Sequence, residues 1–150
     1  MKSSDHKQKA ILIISFLSIW AFCLIVFWFF TDPTDALSYS IMILGVLLPV
    51  SIFIYSLIIG LNDYWGKRKW FSALAFGVIY MLSEYATFSA ANMASAHHFN
   101  SPELDMIVEG VVVSTIGLAV GSPIYYLRRK RKRTDIRRFQ ETHGNKSQPE

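Results

Sequence analysis

The chain has 150 residues, of which 52% are apolar, 15% aromatic and only 17% charged. A typical soluble domain of this length is less apolar and more highly charged. The phosphate-loop, dinucleotide-binding, zinc-protease and nucleophile-elbow motifs of common soluble enzymes do not occur in it. We therefore expect one membrane domain, without enzymatic activity and without a cofactor.

Four apolar runs follow one another along the chain, and each has roughly the 20 residues that a helix needs to cross the hydrocarbon core. They are residues 10–30, 39–61, 71–93 and 106–127. The first two runs are uncharged, the third contains only Glu84, and the fourth contains only Glu109. The short alternating runs of a membrane barrel are missing. The sequence predicts an all-α, four-helix transmembrane bundle at residues 1–127 and a basic, partly disordered tail at residues 128–150.

The fifteen Lys and Arg residues occur in three stretches, separated by intervals of 57 and 58 residues. Each interval is long enough for two crossings. Since Lys and Arg in short loops remain on the cytoplasmic side, both termini should be cytoplasmic and the protein should lie in the plasma membrane.

The densest basic stretch follows the fourth run directly. It comprises Arg128, Arg129, Lys130, Arg131, Lys132 and Arg133. This position favours an anchor to anionic headgroups, at about 1 kcal/mol per cation, over binding of nucleic acid. Docking of a cytoplasmic partner is the alternative.

Small residues follow one stripe of the third run and one stripe of the fourth. The packing positions are Ala73, Gly77, Ala91, Gly110, Gly117 and Gly121. Their spacing of three and four residues is typical of packed helix pairs, and small residues let helices approach closely in lipid. We predict that the third and fourth helices pack on each other along these stripes. In the second run, Pro49 should kink its helix.

Glu84 lies on the small-residue stripe of the third run, so it should face the bundle interior. A carboxylate near the middle of the bilayer costs roughly 2.5 to 3.5 kcal/mol to insert, and no run contains a Lys or Arg to pair with it. We therefore expect a neutral acid that donates a hydrogen bond. Its possible neighbours are Tyr80, Ser83, Thr87, Ser114 and Thr115. The site is interpreted either as a proton or cation site or as a structural hydrogen bond between two helices.

Two further groups could carry chemistry near the non-basic end of the bundle. Glu109 lies about one turn inside the fourth helix, where it can remain ionised near the helix N-terminus. His97 and His98 are weak metal candidates, because adjacent histidines point in different directions and the spaced pairs of zinc motifs are missing. We therefore predict no metal site.

These features favour a small accessory, regulatory or immunity-type membrane protein that acts by helix packing with itself or with a larger membrane partner. The alternative is a small oligomeric transporter or channel that uses Glu84 for coupling to protons or cations. A weaker option is an intramembrane enzyme that uses Glu84, Glu109 and one of the two histidines.

Overall fold

The computed structural model describes residues 2–31, 35–96 and 99–144, and all regular structure in these ranges is helical. We number the helices α1 (Lys2–Phe30), α2 (Ala36–Asn62), α3 (residues 70–96) and α4 (Asp105–Gly144). Each contains a segment long and apolar enough to cross a membrane. The predicted all-helical fold with four potential membrane spans is therefore confirmed.

The three basic stretches meet at one end of the bundle. The ammonium of Lys9 lies 5.7 Å from the ring centre of Trp65 in the α2–α3 connection. In that connection the ammonium of Lys69 lies 5.8 Å from the ring centre of Tyr126 in α4, and 3.1 Å from a carboxylate oxygen of Asp63. We call this the basic end of the bundle, and the opposite end the far end.

At its start α4 packs against α3, through glycines that bring the two backbones together. A methyl group built on Gly110 would lie 2.8 Å from the α-carbon of Gly77, and one built on Gly77 would lie 2.6 Å from the carbonyl oxygen of Ile107. Both distances are too short for a real side chain. This contact is the close α3–α4 approach that the small-residue stripes predict.

Nearer the basic end, the same row of small residues on α4 packs against α2 instead. A methyl group on Gly117 would lie 2.7 Å from the carbonyl oxygen of Phe53, and one on Gly121 would lie 2.6 Å from that of Leu57 and 3.0 Å from the α-carbon of Gly60. The row on α4 is therefore shared between two helices. The sequence predicts that this row packs against α3 along its whole length, whereas Gly117 and Gly121 pack against α2.

The row on α3 is also divided. Ala73 is buried, whereas Ala91 lines a groove beside Phe27 and Trp28 of α1. Between them, Tyr85–Ser89 is π-helical. A π turn contains more residues than an α turn, so it shifts the positions that follow it around the helix axis. A stripe with a spacing of three and four residues consequently loses its alignment beyond this segment.

A second π-helical segment, Ser40–Leu47, ends two residues before Pro49. In the π pattern the N–H of residue 49 would bond to the carbonyl of Leu44, and proline has no N–H to donate. The hydroxyl of Tyr80 in α3 donates to that carbonyl at 3.0 Å. The hydrogen bond that Pro49 cannot make is therefore replaced by one from a hydroxyl of a neighbouring helix, next to a wide π turn.

Tyr80→Phe should destabilise the bundle by about 1–3 kcal/mol, because it leaves a buried carbonyl without a donor. Pro49→Ala returns a backbone N–H that can reach this carbonyl, so Tyr80→Phe should cost less in that background. Thermal unfolding of the detergent-solubilised chain can be followed by the reaction of a thiol-specific dye with Cys23, the one cysteine, whose side chain is 1% exposed. Equal losses in the two backgrounds would contradict this assignment.

Candidate functional site at Glu84

The carboxyl group of Glu84 is buried within α3, with 8% of the residue exposed. The hydroxyl of Ser89 donates to its two oxygens at 3.1 and 3.3 Å. From residue 70 to residue 95 the sequence of α3 contains no Lys, Arg or His. Within the described ranges, the hydrogen bonds to this carboxyl come from Ser89 alone.

The π turn of α3 is what brings Ser89 to Glu84. In an α-helix, residues five apart lie about 140° from each other around the axis, so their side chains would diverge. A π turn is wider and holds more residues, so residues five apart lie much closer to each other around the axis than in an α-helix. Because Tyr85–Ser89 is π-helical, the hydroxyl of Ser89 lies over the carboxyl of Glu84.

The hydroxyls that the sequence suggested as neighbours of Glu84 bond elsewhere. Tyr80 donates to the Leu44 carbonyl, and Ser114 shares a 2.7 Å hydrogen bond with Ser56 of α2. Thr87 donates to backbone carbonyls of its own helix, at 2.7 Å to Ser83 and 3.1 Å to Glu84. Sequence reasoning missed Ser89, because the π turn that positions it has no signature in the residues.

Two tryptophans of α1 attach to α3 on either side of this site. The indole N–H of Trp20 donates to the hydroxyl of Ser83 at 2.8 Å, and that of Trp28 donates to the carbonyl of Ala86 at 3.1 Å. Hydrogen bonds between α1 and α3 are therefore supplied by indoles. The hydrogen bond from the Ser89 hydroxyl to the Glu84 carboxyl lies within α3, so it does not connect two helices.

Glu84 lies close to the level at which α4 begins. From the contact of Gly77 with Gly110, a rise of 1.5 Å per residue places Asp105 about 7.5 Å and Glu84 about 10.5 Å toward the far end. The helical part of α3 continues to Ala96, about 18 Å beyond Glu84. From this level toward the far end α4 has not yet begun, so the chain on that side of α3 is the connection into α4.

Glu109 occupies a different environment. It is exposed in the second turn of α4, where the helix N-terminus favours a negative charge. It lines a small cavity of about 30 Å³ together with Tyr80, Gly110 and Pro49. The structure therefore places Glu109 next to Pro49 of α2, and its cavity does not include Glu84 or Ser89.

The remaining sequence candidates fall into two groups. His97 and His98 lie outside the described residues, and the described ranges contain no group of three or more side chains able to bind a metal ion. The basic run from Arg128 to Arg133 is exposed on α4, which continues as a helix to Gly144. Arg, Lys and Gln are good helix formers, so the helix extends into a segment for which the sequence suggested disorder.

The described residues form four helices long and apolar enough to span a membrane, and among these residues Glu84 carries the one buried carboxyl. Comparison with protein families, with curated proteins and with solved structures finds no match for the chain.

Proposed function

We propose that the chain is a small oligomeric transporter or channel in which Glu84 binds a proton or a monovalent cation. The observation that carries this proposal is that the hydrogen-bond partner of Glu84 belongs to the same helix. A structural role would require the carboxyl to join two helices, whereas its bond is made to Ser89 five residues further along the same helix. The bundle gains no interhelical hydrogen bond from this buried acid.

The chemistry of the site supports the same proposal. One hydroxyl does not compensate for removing a carboxylate from water, and a buried charge needs a partner of opposite sign or has to be neutralised. Because no ion pair to Glu84 occurs among the described residues, its neutrality would come from a bound proton or a bound cation. Intramembrane acids of this kind are typical of ion and proton pathways.

Access to Glu84 is expected from the far end. The connection into α4 is non-helical at residues 99–103 and includes the exposed residues Ser101, Pro102 and Glu103. Non-helical backbone at membrane depth is tolerated where it lines a water-filled cavity or is buried in protein. A polar segment just beyond Glu84 on the far-end side supports a water-accessible recess leading to the carboxyl.

The distribution of cations is the basis on which we orient the protein in the membrane. Lys9, Lys69 and the run that begins at Arg128 lie at the basic end, which we assign to the cytoplasm. In a plasma membrane the far end then faces outward. Protons or cations would enter from outside and reach Glu84 first.

The test is proton or cation flux through the purified full chain in vesicles with an imposed ion gradient. Glu84→Gln keeps the shape and a hydrogen-bonding group but cannot bind or release a proton near neutral pH, so flux should fall to that of protein-free vesicles. Asp135→Asn, which makes the same kind of change at an exposed position of α4, should leave flux unaltered. Flux that survives Glu84→Gln, or no flux in the unaltered protein, would overturn the proposal.

An accessory, regulatory or immunity-type role in a larger membrane assembly is the second candidate, and one observation favours it. α4 extends 17 residues beyond Leu127 as a helix that carries exposed cations, and it could bind an acidic surface of a partner as well as anionic lipid. Cross-linking in intact cells, with neighbours identified by mass spectrometry, should then yield a recurrent membrane protein. Recovery of self-contacts and lipid alone would rule this candidate out.

A further inference from the structure

A groove opens between α1 and α3 in the half of the bundle nearest the basic end. Its volume is about 560 Å³, within the range of small-molecule and lipid-chain sites. Its walls are almost entirely apolar. Phe16 and Phe76 both line it, and their rings lie 4.8 Å apart at 77°.

The polar groups of this groove lie in and beside the α2–α3 connection, at the basic end. Trp65 and Arg68 line it there, with Ser72 one turn into the membrane. Within residues 2–31, 35–96 and 99–144 the one ion pair is Lys69 with Asp63, so the neighbouring Arg68 has no carboxylate partner there. Arg68 is also exposed, which leaves its guanidinium available to an anion.

We propose that this groove binds one acyl chain of an anionic phospholipid, whose headgroup phosphate is bound by Arg68. Guanidinium matches the geometry of phosphate and can form two parallel hydrogen bonds with it. Trp65 lies where indole rings prefer to lie, at the level of lipid headgroups. A cation at the headgroup level above an apolar groove at the depth of the lipid tails is complementary to a single lipid molecule.

A second groove on the other side of α1 provides an internal comparison. It lies between α1 and α2, has a similar volume of about 580 Å³, and has Gln8 and Tyr64 at its basic-end margin. Neither side chain is charged, and they bond to each other at 3.4 Å. That groove can hold an acyl chain but contains no cation to select a headgroup. Preference for an anionic lipid is thus assigned to the groove at Arg68.

The experiment is native mass spectrometry of the full chain in detergent with equal amounts of phosphatidylglycerol and phosphatidylcholine. The unaltered protein should retain phosphatidylglycerol preferentially. Arg68→Gln should lower that preference about tenfold, because it removes a charge-assisted bond to phosphate. Lys67→Gln, the same change at the adjacent exposed cation that does not line the groove, should lower it by less than about twofold.

Filling the groove provides an independent measurement. Ala75 lines it and Val78 on the same helix does not, so Ala75→Phe should reduce retention of both lipids while Val78→Phe should not. Equal binding of the two lipids by the unaltered protein would overturn the proposal. Equal effects of Arg68→Gln and Lys67→Gln, or displacement of the lipid by inorganic phosphate alone, would also overturn it.

Discussion

Glu84→Leu should make the bundle more stable, by about 2 kcal/mol. The substitution removes a carboxyl from apolar surroundings, where an acid costs roughly 2.5 to 3.5 kcal/mol to insert, and it breaks no bond between helices. The hydroxyl of Ser89 loses its acceptor, but a serine in a helix can bond to a carbonyl of the preceding turn. A residue kept at the expense of stability is typical of functional sites.

Thermal unfolding followed through the exposure of Cys23 measures this effect in the full chain. The matched control is Glu109→Leu, which removes the other acid of the four apolar runs from an exposed position near the start of α4. It should cost up to about 1 kcal/mol, because a negative charge there is favoured by the helix N-terminus. If Glu84→Leu destabilises the bundle, then the acid has a structural role and the flux proposal loses its main support.

Gly121→Val should destabilise the bundle strongly, by about 3 kcal/mol or more. A β-carbon at this position would lie 2.6 Å from the Leu57 carbonyl oxygen and 3.0 Å from the α-carbon of Gly60. These are backbone atoms of α2, so relief requires the two helices to separate. Overpacking typically costs 1–3 kcal/mol, and more where neighbours cannot move.

Gly45→Ala is the control for this substitution. It adds a methyl group to α2 where the nearest atom outside its immediate surroundings, the Ser40 carbonyl oxygen, lies at 3.6 Å, an ordinary contact. Its unfolding temperature should equal or slightly exceed that of the unaltered protein, because alanine is the better helix former, whereas Gly121→Val should unfold well below it. A Gly121→Val protein as stable as the Gly45→Ala protein would show that α2 and α4 are not in close contact.

The fold was predictable from the sequence because apolarity over the length of a membrane span is a strong signal. The four apolar runs lie within the four helices that could cross a membrane. The pairing of helices was less predictable. A glycine in a membrane helix predicts close packing of another helix. The sequence around Gly117 and Gly121 does not indicate whether that helix is α2 or α3.

The candidate site was predictable in part for a related reason. Burial of Glu84 follows from its position among small residues at α-helical spacing, and the structure places it in the interior. Its partner, Ser89, depends on a π turn at residues that have no proline or glycine to indicate it. The α-helical spacing of three and four residues predicts Tyr80 and Thr87 as neighbours of Glu84. That spacing does not apply to the π-helical segment that follows Glu84.

The unequal packing of the four helices has a consequence for assembly. α2, α3 and α4 are joined by backbone contacts at glycines, whereas α1 is held by aromatic side chains, among them Trp20 to Ser83, Trp28 to Ala86 and Tyr55 to Ser15. Of the four helices α1 is synthesised first, and its partners on α3 follow 63 residues later for Trp20 and 58 residues later for Trp28. We therefore expect α1 to complete its packing against α3 only after α3 has entered the membrane.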